Sequence, residues 1–352
     1  MNFAFTDTQL EFRDAVRQVL AKECTTDAVR AAFDAPAART ALTPRWATLA
    51  DLGVTGLVVP EAHGGFGLGL VDLVPLLEEA GRVALPEPLV ETSALAASLL
   101  ADLDAAGTAD ARIGPWLESI AGGTLTVAVA DGRRPGLPVA GADGADLLLL
   151  VADGPDGPEI HGVDATSITV TPVPSLDPTR RLGIPVWEPS PDTVLVSGAH
   201  AVAGINRTAD RAAVAVGAEL LGLADSMVTV SAEYAKDRQQ FGKPIGAFQA
   251  VKHLLAGAQV LLEFARPVTY GAAWALDEGS PDASRAASVA KAYASDAATE
   301  AARVSLQVHG AIGYTWECDL HLFLKRTWAL SEAWGSAGDH RARILDSLLV
   351  ED

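Results

Sequence analysis

Apolar residues Leu10, Phe12, Val16, Val19 and Leu20 recur at helical spacing behind Thr6-Asp7, a pair suited to cap a helix. Residues 1–120 are predicted to be a helical region, with a second apolar helix from Val71 to Gly81. The segment Val58-Val59-Pro60-Glu61-Ala62-His63-Gly64-Gly65-Phe66-Gly67 breaks any period and reads as a loop of tight turns. From Thr124 the texture changes to short β-prone runs: Leu125 to Val129, Leu147 to Val151, Ile168 to Val170 and Val194 to Val196. So small a β unit is expected to lean on the helical parts for its core. Beyond Asn206 the stretches 208–237, 245–278, 282–310 and 320–349 are rich in Ala and Leu and poor in Pro, which predicts an antiparallel helical bundle. Pro267 is expected to kink the second of these or to end its first half. The expected fold is mainly α with a small β domain: an N-terminal helical domain (1–120), a middle β domain (121–205) and a C-terminal four-helix bundle (206–352).

Length and composition agree with this picture. The 352 residues exceed the size of about 250–300 at which a single hydrophobic core stops growing. With 49% hydrophobic and 20% charged residues, the chain has material for a substantial interior. A net charge of −19 opposes nucleic acid and anionic membrane as partners. Cys24 and Cys318 have neither disulfide-scaffold density nor zinc-ligand spacing, so two reduced, buried thiols and no metal site are expected. The N-terminus has no basic segment followed by an apolar one, and the expected location is the cytoplasm.

The segment richest in chemistry is Arg238-Gln239-Gln240-Phe241-Gly242-Lys243-Pro244-Ile245-Gly246-Ala247-Phe248-Gln249. Gly242 and Pro244 place a turn between two helices, and Arg238 is a guanidinium able to grip a diphosphate. Read singly, Arg238 only ends a helix and Phe241 only packs a turn. A second segment, Gln307-Val308-His309-Gly310-Ala311-Ile312-Gly313-Tyr314-Thr315, ends a helix with a side-chain amide and exposed backbone, although two glycines could equally serve as a plain helix stop.

The whole string from Arg238 closely resembles the flavin-binding turn of the acyl-CoA dehydrogenase family, and the Gln307 segment resembles that family's C-terminal flavin motif. Pro60-Glu61 with Gly64-Gly65-Phe66-Gly67, followed by Glu79-Ala80-Gly81, is similar to its N-terminal helical domain. The resemblance implies a fold of helical domain, small β domain and four-helix bundle. It implies FAD as cofactor, and Arg238, Phe241, Gly242, Phe248, Gln249, Gln307, Gly310 and Ala311 as its contacts. Ala311 stands where the family has a second glycine and adds a methyl group there.

Other family features are missing. Members use a Glu to take the α proton of the thioester, commonly before a Gly-Thr-Ser-like turn. Counting from Gly313 and from Lys325-Arg326, that place falls on Trp334 in Glu332-Ala333-Trp334-Gly335-Ser336, and an indole cannot take a proton from carbon. In a minority of members the Glu lies early in the first helix of the bundle, and there this chain has Ala212 and Ala213. Glu219 and Glu332 are the carboxylates near these two places and the remaining candidates for a base. The polar segment with which active members embrace the flavin ring corresponds here to Val129-Ala130-Asp131-Gly132-Arg133-Arg134-Pro135, in which none of the family's polar groups is in place. Asp177-Pro178-Thr179-Arg180-Arg181-Leu182 is expected to organise the surface of the β domain.

In this family each flavin lies between two chains: one gives the β domain and the Glu, the other the Arg-Phe-Gly turn and the Gln-Gly motif. This chain keeps only the second set. It thereby resembles the smaller subunit of the heterotetrameric acyl-CoA dehydrogenases of steroid degradation. The resemblance implies a larger acyl-CoA dehydrogenase subunit as partner, an acyl-CoA substrate with steroid-CoA thioesters in its range, and an acceptor of the electron-transfer flavoprotein type. Two other readings are a self-sufficient homo-oligomer using Glu219 or Glu332, and a scaffold that binds CoA thioesters without turnover. Retention of Arg238, Phe241, Gln249 and Gln307 favours the heteromer subunit over the scaffold, because a pure scaffold has no need for a diphosphate grip.

Overall fold

The computed structural model describes residues 4–34, 43–108, 110–134 and 136–349. Helices dominate: α1 (Asp7–Glu23), α2 (Thr26–Asp34), α3 (Pro44–Asp51), α4 (Leu70–Arg82), a π-helical segment Val90–Ala96 running into α5 (Ala97–Ala105), and α6 (Ile113–Ala121) precede the sheet region. Four longer or paired helical segments follow it: α7 (Gly198–Asp237), α8 (Gln249–Asp277), α9 (Ala283–His309), then α10 (Leu320–Glu332) with α11 (Ala337–Leu349). The mainly helical fold with a small β part is as the sequence predicts. Thr6 caps α1 with a reciprocal capping box, its hydroxyl accepting the Gln9 N–H at 3.2 Å while the Gln9 amide accepts the Thr6 N–H at 2.8 Å.

By internal packing the chain groups into two compact units, one of Met1–Arg30, Val74–Leu85 and Ala213–Asp352, the other of Ala31–Leu73 and Pro86–Ala212. The second unit holds the sheet, in the order β1 (Val127–Ala130), β2 (Leu147–Gly154), β3 (Gly157–Asp164), β6 (Val194–Ser197). β1 and β2 are parallel, and the other pairs are antiparallel. A two-stranded ribbon of β4 (Thr169–Pro172) and β5 (Gly183–Val186) completes it. The apolar faces of Ala128, Leu148, Leu150 and Val163 pack with Val139 and Ala142 into one core. This β core does lean on a helix, because Thr92 in the π-helical segment accepts the Val127 N–H at 3.0 Å. Trp46 of α3 is fully buried, its indole donating to the Gly123 carbonyl at 3.1 Å.

In the first unit α4 and α7 cross at glycines. A Cβ on Gly81 would collide with the Glu219 carbonyl, and one on Gly222 with the Glu78 carbonyl, so the backbones meet without side chains between them. Glu78 and Glu79 are buried beside that crossing, where burying carboxylates is tolerable only with partners. Glu79 is held by Arg17 at 2.6 Å, and Glu78 by Arg266 at 3.1 Å and by the Tyr270 hydroxyl. α7 is long and apolar enough to span a membrane, but most of its apolar window is buried in protein, as a core helix requires.

Several expectations need correction. β3 and β5 were not predicted; their Gly, Pro, Glu and His residues dilute the β-prone signal. α7 begins at Gly198, ten residues before the predicted start at 208, with Gly198, Gly204 and Asn206 lowering the local helix propensity. Pro267 does not end α8, which stays helical to Asp277, since one missing N–H is outweighed by intact bonds on both sides. The stretch 320–349 is two helices, interrupted at Trp334 (φ 57°) and Gly335 (φ 103°). In the Asp177 segment, Asp177 and Thr179 are buried, the Asp177 carboxylate accepting the Thr179 N–H at 3.1 Å, while Pro178, Arg180, Arg181 and Leu182 are half-buried. Both cysteines are free, but only Cys24 is buried and Cys318 is half-buried. Among the described residues no cluster of metal-ligating side chains occurs.

Candidate functional site

The two segments singled out for a cofactor lie at the ends of two helices of one unit. Ser305 of α9 donates to the Met227 carbonyl of α7 at 3.0 Å, and further along both helices the His309 ring stacks on Tyr234 at 4.3 Å and 20°. Both contacts advance in the same chain direction, so α7 and α9 run parallel here and their C-termini emerge together. Arg238 follows the first end and Gln307 to Ala311 form the second. Their convergence follows from packing.

Past α7 the chain forms a minimal hairpin, Gln239–Gln240 paired with Lys243–Pro244. The two residues at its tip, Phe241 (φ 53°) and Gly242 (φ 76°), both have positive φ, as a primed two-residue turn demands. Gly suits that geometry; Phe does not, at a cost of about 1–3 kcal/mol. Phe241 gains little burial in return: it is 91% exposed, with the Phe248 ring roughly perpendicular to it at 6.1 Å between centroids. Arg238 is likewise exposed, with no side-chain hydrogen bond or ion pair among the described residues.

Phe248 precedes the first turn of α8 without a side-chain cap, leaving first-turn N–H groups available near Arg238 in sequence. Its ring is half-buried beneath Lys243 Nζ at 4.4 Å, and Gln249 is exposed. A guanidinium, an uncapped helix N-terminus and an ammonium suit a diphosphate. On the α9 side Gln307 and Ala311 are exposed, and Gly310 takes φ 66° and ψ −144°, a region essentially reserved for glycine, with open space where a Cβ would stand. These residues fit the half of a flavin site that grips the diphosphate and adenosine end.

The places where a base and a flavin-ring cradle were sought differ in kind. Trp334 is half-buried in a turn tied off on every side. The fully buried Lys291 donates to the Ser331 and Gly335 carbonyls at 2.9 and 3.0 Å, and to Ser295 at 3.0 Å. His340 Nε2 faces the Trp334 carbonyl at 3.0 Å, and Ser336 with Asp339 caps α11. Burial is the main influence on His340 and holds it below the usual imidazole range, against the Trp334 carbonyl. Glu332 is exposed at the end of α10, whereas Glu219 is buried within α7, its backbone against Gly81. Ala212 and Ala213 are fully buried.

In the β part, Gly132 packs so closely that a Cβ would stand 2.6 Å from the Val151 carbonyl and 3.1 Å from Trp187. Arg133 is turned back onto Asp131 at 2.8 Å. Pro135 lies outside the described residues. This loop offers no hydroxyl to a flavin ring. Sequence reasoning missed Tyr234, His309, Lys291 and His340. Tyr234 stands one helical turn before Arg238, and His309 lies inside the quoted Gln-Gly segment; those positions were the available signals.

The family model for the acyl-CoA dehydrogenase N-terminal domain matches residues 6–124, and that for the C-terminal domain matches residues 203–349. The chain is 31% identical over 335 residues to acyl-CoA dehydrogenase IpdE2 of Mycolicibacterium smegmatis, covering 94% of this chain and 96% of that one. Among solved structures, a chain of a variant of the Tcur3481–Tcur3483 steroid ACAD superposes with a TM-score of 0.81 and 28% identity, covering 98% of both chains. A chain of the ChsE4–ChsE5 complex from Mycobacterium tuberculosis, at 24% identity and 99% coverage of both, shares the fold with a TM-score of 0.85.

Proposed function

This chain belongs to the acyl-CoA dehydrogenase family, oxidoreductases that act on acyl-CoA, and we propose that it serves there as the smaller subunit of a heteromer. In this reading it completes a flavin site whose ring cradle and base lie on a larger chain. One contrast carries it: the groups suited to the diphosphate end are exposed and unengaged, while the place expected to hold a base holds Trp334 in a tied-off turn.

Arg238 and the first turn of α8 hold the FAD diphosphate by charge and by N–H donation. Phe241 and Phe248 cover cofactor surface from water, and Gly310 lets backbone approach it closely, with Gln307, Gln249, Gly242 and Ala311 around them. FAD, when bound, supplies the hydride acceptor for α,β-desaturation of the thioester. A carboxylate of the larger chain takes the α proton, since neither the exposed Glu332 nor the interior Glu219 is presented for that work. Two further parts of the reading are steroid-CoA thioesters as substrate class, supported by the likeness to a steroid ACAD, and an electron-transfer flavoprotein as acceptor, expected from the family alone.

The test is flavin absorbance of the purified chain, made alone and co-expressed with a larger acyl-CoA dehydrogenase chain. The chain alone is expected colourless or nearly so, and the complex yellow. Stoichiometric FAD on the chain alone, or a complex that never holds FAD, overturns the reading.

A further inference from the structure

The last turn of α7 carries Arg238 and the Phe241 hairpin, yet little anchors it. Lys236, Asp237, Arg238, Gln239 and Gln240 are all exposed. Inward-facing residues are Ala235, against which Gly246 packs so closely that a Cβ would stand 2.9 Å from its carbonyl, and Tyr234. Tyr234 lies on the His309 ring at 4.3 Å and 20°, and its carbonyl accepts the Arg238 N–H at 2.9 Å. The stacked ring and the turn that starts Arg238 therefore share one residue.

The imidazole is itself fixed. Its Nδ1 stands 2.8 Å from the Ser305 carbonyl, which can only accept, so Nδ1 carries the proton and the ring plane is set by a hydrogen bond as well as by its own Cα. His309 is buried, and Gly310 follows it directly in the conformation that opens the Gln-Gly segment. Each partner of the stack thus adjoins one of the two halves of the candidate site. The ring contact links them through side chains.

We propose that the Tyr234–His309 stack is a positioning clasp that holds the Arg238 turn and the Gln307–Ala311 segment in register for one flavin. This deepens the function proposed above and rests on it. Neither ring is assigned a contact with cofactor or substrate; both act through Arg238, Gln307 and Gly310. Because an aromatic pair contributes modestly, loss of the clasp should loosen flavin rather than abolish it, by about 2- to 10-fold in affinity.

The experiment titrates FAD into the deflavinated heteromer, followed by flavin fluorescence, with the unfolding midpoint measured beside it. His309→Ala should weaken FAD about 2- to 10-fold, and His309→Phe, which keeps a ring but no Ser305 bond, should stay within about twofold of wild type. Tyr234→Ala combined with His309→Ala should be no weaker than either alone, as for two parts of one contact. If His309→Ala does not assemble, Tyr234→Leu, which fills the same place without a ring, carries the test with the same expected loss. Wild-type affinity in the ringless variants, or equal losses in His309→Phe and His309→Ala, overturns the clasp alone. A wild-type heteromer that binds no FAD overturns the function and the clasp together.

Discussion

The ends of α7 and α9 and the turn between α10 and α11 are both left-handed, non-repetitive backbone at helix termini, and they have opposite surroundings. At the first, Phe241 sits at positive φ with its ring in solvent, and Arg238 is exposed, with no hydrogen bond or ion pair from its side chain among the described residues. At the second, Trp334 sits at positive φ in a frame of Lys291, His340, Ser336 and Asp339 that satisfies backbone groups on each side. Strain left uncompensated within the chain marks a surface completed by something else, whereas strain locked by internal bonds marks a place the fold has closed. The difference can be broken from either side, because one region should respond in cofactor retention and the other in stability.

The largest effect is expected at the closed turn. Lys291→Met removes a fully buried ammonium from the Ser331 and Gly335 carbonyls, which costs about 2–4 kcal/mol as both acceptors lose their donor. The urea midpoint should fall accordingly, while FAD affinity of the folded heteromer stays within about twofold. A variant that keeps its stability and loses flavin would reverse the roles of the two regions.

At the open end, Arg238→Ala should do the opposite. Losing a charge-assisted grip on the diphosphate costs about 1.5–3 kcal/mol, or roughly 10- to 100-fold in FAD affinity, with the unfolding midpoint unchanged. Unchanged flavin content would make the turn structural. Phe241→Asn gives the hairpin the Asn-Gly pair that its turn geometry prefers, and should stabilise the isolated chain by about 1 kcal/mol while weakening FAD in the heteromer. A gain in both would show that the phenyl ring has no role at the interface.

Much of the frame was legible and much of its closure was not. The capping box at Thr6, α4 and the helical bundle follow from period and propensity, which are local. The Arg238 and Gln307 segments stood out because Gly and Pro mark turns at helix ends and because the whole strings resemble a family's flavin motifs, although Arg238 alone reads as a plain helix end. Lys291 left none: a lone Lys among alanines reads as solvated surface until the fold shows it with no exposure and three acceptors. β3 escaped because its Gly157-Pro158-Glu159 start and His161 are poor strand formers, and its pairing with β2 decides the matter. Tyr234 and His309 lie far apart in sequence and stack only because α7 and α9 are parallel, which no local pattern encodes.

Acidity probes both regions at once and should act gently. Burial is the chief cause that holds His309, His340 and His161 below the ordinary imidazole value of 6.5, with the Ser305 carbonyl, the Trp334 carbonyl and Glu159 respectively pulling the other way. Each ring is neutral when folded and takes up a proton more readily once unfolded. Their contribution is therefore complete above 6.5 and lost as the pH falls from there toward the lowered folded values. Depressed carboxylates such as Asp110 and Glu263 act only further down, below their own ordinary values of 3.8 and 4.5. The urea midpoint should be level at about pH 7–8 and decline below about pH 6.5. A level midpoint down to about pH 5.5 would mean that these rings are not held neutral by the fold.

The smallest expected effect is none, and it separates a subunit that lends half a site from an enzyme complete in itself. Removing a required general base costs about 10²–10⁴ in rate, too much to be lost in kinetic scatter. Glu332→Gln and Glu219→Gln keep size and hydrogen-bonding capacity while abolishing basicity. Glu332 is exposed at the end of α10, and the backbone of Glu219 is wedged against Gly81, so neither has the setting of a poised proton acceptor. Turnover of the heteromer should stay within a few-fold of wild type for Glu332→Gln. The same holds for Glu219→Gln, although its burial makes a modest loss of stability part of the expected result. A fall of two or more orders of magnitude in kcat from either substitution, with flavin still bound, would place the base on this chain and make its α10–α11 turn or its α7 helix the working side of the site.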